Sequence, residues 1–202
     1  YALNAYAIDA KNMTDTEIEN VIKEELAAGK TDIKLILEPY TSSGVFSAIS
    51  KGLSGSADGS IDLSLIGCDR IPRDGLLSVS VLNSIFLPDV TTLGKKALYF
   101  CINLKTVNAP KVTAIEQRAF YGCECLKKVI LGTLTDVRGE ANSEDGIFDG
   151  INYSRPYIDL YLPKNQEVME FDENQYIWKP TGESYFASPD VDDGIFLGYQ
   201  FN

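Results

Sequence analysis

The chain has 202 residues, 45% of them hydrophobic and 23% charged, which suits one folded core and rules out a disordered chain. Its formal net charge of −11 argues against a nucleic-acid partner, because a phosphate backbone demands a basic footprint. Histidine is absent, which removes Ser-His-Asp and Cys-His catalysis, His-ligated zinc and haem, and imidazole proton relays.

The chain opens on Tyr1 with no basic-then-apolar leader or anchor of its own, which fits a removed export signal or a trimmed chain. Thr14-Asp-Thr-Glu17 is a capping box, and Ile18, Val21, Ile22 and Leu26 form one apolar stripe before Gly29, so a helix is expected there. Ile33-Lys-Leu-Ile-Leu37 alternates as a strand, and Val45, Phe46, Ile49 and Leu53 predict a second short helix after Ser43. Ile61-Asp-Leu-Ser-Leu65 repeats the strand pattern of Ile33 to Leu37 at a spacing of 28 residues. The longest uncharged stretch, Gly75 to Pro88, is broken by serines and an asparagine and predicts no transmembrane helix.

From Leu82 the chain repeats itself every 22 residues, with new units opening at Leu104 and Leu126. Ile85, Val107 and Val129 share a column, as do Leu87, Ala109 and Leu131. Val90, Val112 and Leu134 form another, and Leu93, Ile115 and Val137 a fourth. Pro88 matches Pro110, Ala97-Leu98 matches Ala119-Phe120, and Cys101 matches Cys123. Each unit reads as a short strand ended by proline, a second apolar turn, and an Ala-Phe element of helical or 3₁₀ character. One unit cannot bury its own apolar face, so stacking into a parallel sheet with strands about 4.8 Å apart is expected. Ile147-Phe148 recovers the Ala119-Phe120 column after six extra residues, which fall in an expected surface loop over Gly139 to Glu144. Ile158 to Pro163 restores the strand, and Val168, Phe171, Tyr176 and Trp178 read as a closing lid, with Val168 and Phe171 at helical spacing.

The pattern L-x-x-V-x-L-P-x-V-T-x-I-x-x-x-A-F-x-x-C, as in Leu104 to Cys123, resembles the BspA-like leucine-rich repeats of bacterial surface proteins. Ile61-Asp-Leu-Ser64 resembles the strand that opens such arrays. Tyr161-Leu-Pro163, with an acidic helix and Trp178 after it, resembles their closing cap. The resemblance spans roughly residues 33 to 179 and is densest over 82 to 137. It implies a secreted or outer-surface protein of gut or oral anaerobes, in a family with some adhesins for matrix or host proteins. The expected fold is α/β, a single domain over 1–202 containing a right-handed leucine-rich-repeat solenoid of about five to six coils. An N-terminal cap with a helix is assigned to 1–32, the solenoid to 33–163, and a C-terminal cap and tail to 164–202.

Few side chains point to chemistry. A bridge between Cys101 and Cys123 is geometrically conceivable, but side chains of one ladder column normally lie alongside one another, so buried free thiols are expected. Cys123-Glu-Cys125 and the remote Cys68 make a weak metal pattern. Asp190-Val-Asp-Asp-Gly194 fails the EF-hand template at Gly194, Ile195 and Phe201 and reads as a solvated charge run. Paired acids such as Glu144-Asp145 are expected by accident among 29, and the Asn-x-Ser/Thr triplets at Asn12 and Asn152 carry no weight without a eukaryotic secretory context. No cofactor or metal is expected. Residues 82–138 are net basic between two acidic ends, which reads first as a solubility device and second as a patch for an anionic partner such as an acidic glycan.

If the residues at 85 and 87 of each unit point inward, the residue between them faces out. That column reads Ile36, Ser64, Phe86, Asn108, Ile130 and Tyr161, beside a second of Lys34, Asp62, Ser84, Thr106, Lys128 and Asp159. Phe86, Asn108, Ile130 and Tyr161, rimmed by Ser84, Thr106 and Lys128, are therefore the candidate partner-binding residues, because aromatic anchors inside a polar rim mark interface cores. The competing cover for this face is a cap, a neighbouring molecule or the tail after Gly182, since Tyr185, Phe186, Phe196, Tyr199 and Phe201 also need shelter. The expected function is a non-enzymatic surface module for a host or matrix protein or a glycan. The alternatives are a hydrolase of surface glycans or peptides using paired carboxylates, and a structural spacer of the cell envelope.

Overall fold

The computed structural model describes residues 6–150, 157–187 and 194–202. The N-terminal part contains β1 (Ile8–Asp9), α1 (Asp15–Ala27), β2 (Asp32–Ile36), α2 (Ser43–Leu53) and β3 (Ile61–Ile66). Each later repeat gives a longer and a shorter strand. These are β4 (Arg70–Ile71), β5 (Leu82–Phe86), β6 (Thr92–Leu93), β7 (Thr106–Ala109), β8 (Ala114–Ile115), β9 (Lys128–Leu131) and β10 (Asp136–Arg138). The chain ends through β11 (Asp159–Tyr161), β12 (Glu167–Asp172), β13 (Ile177–Ser184), β14 (Ile195–Phe196) and β15 (Tyr199–Gln200).

The longer strands form one parallel sheet in the order β1-β2-β3-β5-β7-β9-β11. The shorter strands β4, β6, β8 and β10 form a second parallel ladder, to which β13 and then β12 add antiparallel. Apolar side chains one repeat apart stack between the two. Ile85, Val107 and Val129 are buried from the first sheet, and Ile71, Leu93, Ile115 and Val137 from the second. A third set of rungs joins the turns, where Leu76 N–H donates to Ala97 O, Leu98 N–H to Ala119 O and Phe120 N–H to Ile147 O, each at 2.9 Å. The chain therefore has an α/β repeat fold with mostly parallel sheets and few helices.

Both expected helices form. Thr14 accepts from the Glu17 amide while the Glu17 carboxylate accepts from the Thr14 amide, which completes the capping box. Ile18 and Ile22 of α1 are buried against α2, and a Cβ on Gly52 would lie 2.8 Å from Ile22 Cβ, so only glycine lets the helices approach this closely.

Three expectations are corrected. The Ala-Phe element is a series of turns, because Lys96 and Phe100 sit at φ 58° and 55°, left-handed values that interrupt a helix. The acidic segment after Pro163 is the antiparallel hairpin β12–β13 rather than a helix. Trp178 there pairs with Val137 and extends the inward column of the second ladder. The spacing between β2 and β3 is 30, with Ile33 opposite Leu63, Lys34 opposite Ser64 and Ile36 opposite Ile66. A slip of two residues preserves the in-out alternation of a strand, so the pattern could not distinguish 28 from 30. The outward column therefore begins with Lys34 and its neighbour with Asp32.

At the C-terminal end Gln166 is fully buried. Its Oε1 accepts from Leu134 N–H at 2.7 Å, and its Nε2 donates to Leu134 O at 3.2 Å and Glu167 O at 2.9 Å. The segment 194–202 returns to the last repeat, where the rings of Tyr199 and Phe201 meet Phe148 edge-on, and Phe148 stacks on Phe120. Asn202 N–H donates to Ile158 O beside β11.

Candidate functional site

The candidate residues converge as the columns require. Phe86, Asn108, Ile130 and Tyr161 are successive partners across β5, β7, β9 and β11. Ser84, Thr106, Lys128 and Asp159 form the neighbouring row in the same register. Strands that bury Val107 and Val129 necessarily turn the residues on either side outward. Tyr161 is 51% exposed, whereas Phe86, Asn108 and Ile130 are half-buried. Ser64, in the same column, is buried. Lys128 Nζ lies 5.2 Å from the Tyr161 ring centroid, which brings a cation and an aromatic to the surface together.

Three aromatics of the tail, Phe196, Tyr199 and Phe201, are buried away from the sheet-face column. Tyr199 and Phe201 pack on Phe148, and Phe196 packs on Tyr185, whose hydroxyl donates to Ile195 O. Phe186 remains 58% exposed.

Two features of the surface escaped the sequence reading. Lys105 and Lys127, 22 residues apart, stand exposed just before β7 and β9 on the rim of the candidate face. Their common column was the available signal. On the turns, Tyr99 and Tyr121 stack at 5.3 Å beside Phe100, again one repeat apart. The Phe100 ring covers Gly122, where a Cβ would lie 3.0 Å from it.

Carboxylates on the sheet face are already engaged. Asp62 accepts from Asn83 Nδ2 at 2.8 Å and Ser84 Oγ at 2.6 Å, and Asp159 accepts from Asn202 Nδ2 at 2.9 Å. Asp32 pairs with Lys34 at 3.1 Å. Burial pushes Asp89 up, but its bonds from Lys111 and the Gly67 amide outweigh this and hold it below the ordinary carboxylate range. Of the suspected acid pair, Asp145 faces Arg118 at 3.3 Å and Glu144 is exposed.

All four cysteines are free, with Cys68, Cys101 and Cys123 buried and Cys125 half-buried. Burial pushes the thiols of Cys68 and Cys101 up to about 12 and raises Cys123 as well. Cys101 donates to Leu76 O and Cys123 to Leu98 O, both at 3.1 Å, so each thiol links its repeat to the one before. Among the described residues no group of three or more Cys, Asp or Glu is placed to hold a metal ion. No described helix is long and apolar enough to cross a membrane. Asn152 and the acidic run from Asp190 to Asp193 lie outside the described residues.

A cleft of about 590 Å³ lies between the ends of α1 and α2, lined by Lys23, Leu26, Gly52 and Ser54 among others, and it carries no carboxylate pair. The candidate positions form an extended, ordered surface across β5, β7, β9 and β11.

No curated protein and no solved structure matches this chain. Residues 69–145 match the family model described as the BspA type leucine rich repeat region, in 6 copies. The match covers the segment where strands from both ladders recur at 22-residue spacing, and repeats of this kind are typically interaction modules. Residues 69–145 of this chain are thus similar to the BspA type leucine rich repeat region.

Proposed function

We propose that the chain is an exported, non-enzymatic binding module of a cell surface that takes a protein or glycan ligand on the outward face of its larger parallel sheet. In this reading residues 1–202 act as one domain, a right-handed solenoid of about five to six coils with a helical N-terminal cap and a C-terminal cap. The two parallel ladders advancing in the same strand order support such winding. The observation that carries the function is the column of Phe86, Asn108, Ile130 and Tyr161, which sets large apolar side chains where a water-facing strand is ordinarily polar. Ser84, Thr106 and Lys128 supply its polar rim, as interface cores require.

The test is capture of matrix proteins and an arrayed glycan panel by the immobilised chain and by its Phe86→Asp/Ile130→Asp variant. Wild type retains a ligand and the variant loses it with an unchanged circular dichroism spectrum. Equal retention by a folded double variant would remove the sheet face as the site.

A further inference from the structure

We infer that the ligand of this face is an acidic polypeptide segment carrying apolar side chains beside its carboxylates, recognised by a lysine row along the rim. The inference rests on the sheet-face reading and names the chemistry of its partner. Lys105, Lys127 and Lys128 are exposed and sit together on two adjacent strands, since Lys127 N–H and Lys128 N–H both donate to Lys105 O, at 2.9 and 3.1 Å. Adjacent strands bring such side chains to rungs about 4.8 Å apart. Among the described residues none of the three takes part in an ion pair. The nearby acids are occupied, with Asp62 held by Asn83 and Ser84 and Asp159 by Asn202. Three lysines without an ion pair among the described residues thus lie at the start of two adjacent strands, on a chain whose net charge is −11, with the Asp159 carboxylate in register beside Lys128. At physiological salt charges beyond about 8 Å are largely screened, so a ligand at Lys105 and Lys127 meets these lysines more strongly than the acidic ends of the chain.

The apolar column decides the class of ligand. Ile130 and Tyr161 lie two residues along their strands from Lys128 and Asp159, so a carboxylate on the lysine row leaves its neighbours over Ile130, Tyr161 and Phe86. A polypeptide can lay an apolar side chain there. An anionic polysaccharide needs partners for its hydroxyl groups, and between Phe86 and Tyr161 the column offers only the amide of Asn108.

The test is fluorescence anisotropy with a soluble labelled peptide of glutamates interspersed with leucines, its glutamine twin, and a heparin-derived oligosaccharide. The glutamate peptide should bind the whole chain, the twin should bind more weakly, and Lys105→Glu/Lys127→Glu should weaken the glutamate peptide by at least about tenfold. Both lysines are exposed, and an unchanged melting curve would show that this variant folds. The inference is overturned if the glutamate peptide does not bind, if the twin binds equally, or if charge reversal changes nothing. Binding of heparin alone would assign the row to a sulfated glycan. A change in the sedimentation of the free chain on charge reversal, without peptide binding, would assign it to a second copy. Either result also overturns the inference. Captured ligands lost by Phe86→Asp/Ile130→Asp would uphold the sheet face even then, so the two readings fail separately.

Discussion

Gln166→Leu should be among the most damaging single changes outside the apolar columns. Its side chain has no exposure, and it serves both backbone groups of Leu134 as well as the carbonyl of Glu167. Leucine fills a similar volume but leaves the Leu134 N–H and C=O without partners inside the last repeat. An orphaned buried polar group costs about 1–3 kcal/mol, so two of them place the loss at about 2–6 kcal/mol. Water entering from the chain end would move the value toward the lower limit. Gln166→Glu separates the two bonds, because a carboxylate still accepts from Leu134 N–H but cannot donate to Leu134 O. Burial raises the folded pKa of such a glutamate above its unfolded value. Its deficit relative to wild type should therefore be smallest below the unfolded pKa and grow as pH rises through the folded one. Urea denaturation followed by circular dichroism measures the loss, and hydrogen exchange at the Leu134 amide localises it. A loss under about 0.5 kcal/mol for Gln166→Leu, with Leu134 still protected, would refute the reasoning.

Trp178→Ala should cost about 2–3 kcal/mol, since the half-buried indole packs on Phe171 and its Nε1–H donates to Gly139 O at 3.0 Å. An unchanged melting curve would detach it from the core. Alkylation in denaturant without reductant should add four adducts by intact mass, whereas in the native state Cys125 should react first because the other three thiols are buried. Two adducts in denaturant would reveal a bridge. Asp89 has a folded pKa below its unfolded value, so the stability it contributes is present above the unfolded pKa and lost as pH falls through the folded one. Lys111→Ala should flatten the fall of the urea midpoint in that acid range, and an unaltered profile would deny the pair any role.

How much of this was legible depended on what each residue had to repeat. From Leu82 to Val137 the register is correct to the residue, because Ile85, Val107 and Val129 must all enter one core at the same height. Upstream, α2 stands between β2 and β3 without a counterpart in later repeats, and alternation alone left a two-residue ambiguity. Val168 and Phe171 are three apart, a spacing that a helix explains and that a hairpin also contains, with Met169 the buried member of β12. The left-handed turns were hidden because Lys96 and Phe100, not glycines, occupy them. The outward column was readable from alternation once the inward columns were known. The lysine row was not, because Lys105 and Lys127 entered the reading as charge to be counted rather than as side chains placed on one rim.

The antiparallel hairpin also has a consequence for how such a gene can change length. A strand that runs backward ends the parallel run of the second ladder at β13, and β12 occupies the edge beyond it. Repeats added after the hairpin would meet β12 and not the edge of β10. Units duplicated between Leu82 and Leu126 would meet the same neighbours above and below as the existing ones. Unequal recombination within that window should therefore yield longer or shorter proteins that still fold, in steps of one whole unit, each lengthening the outward column by one position.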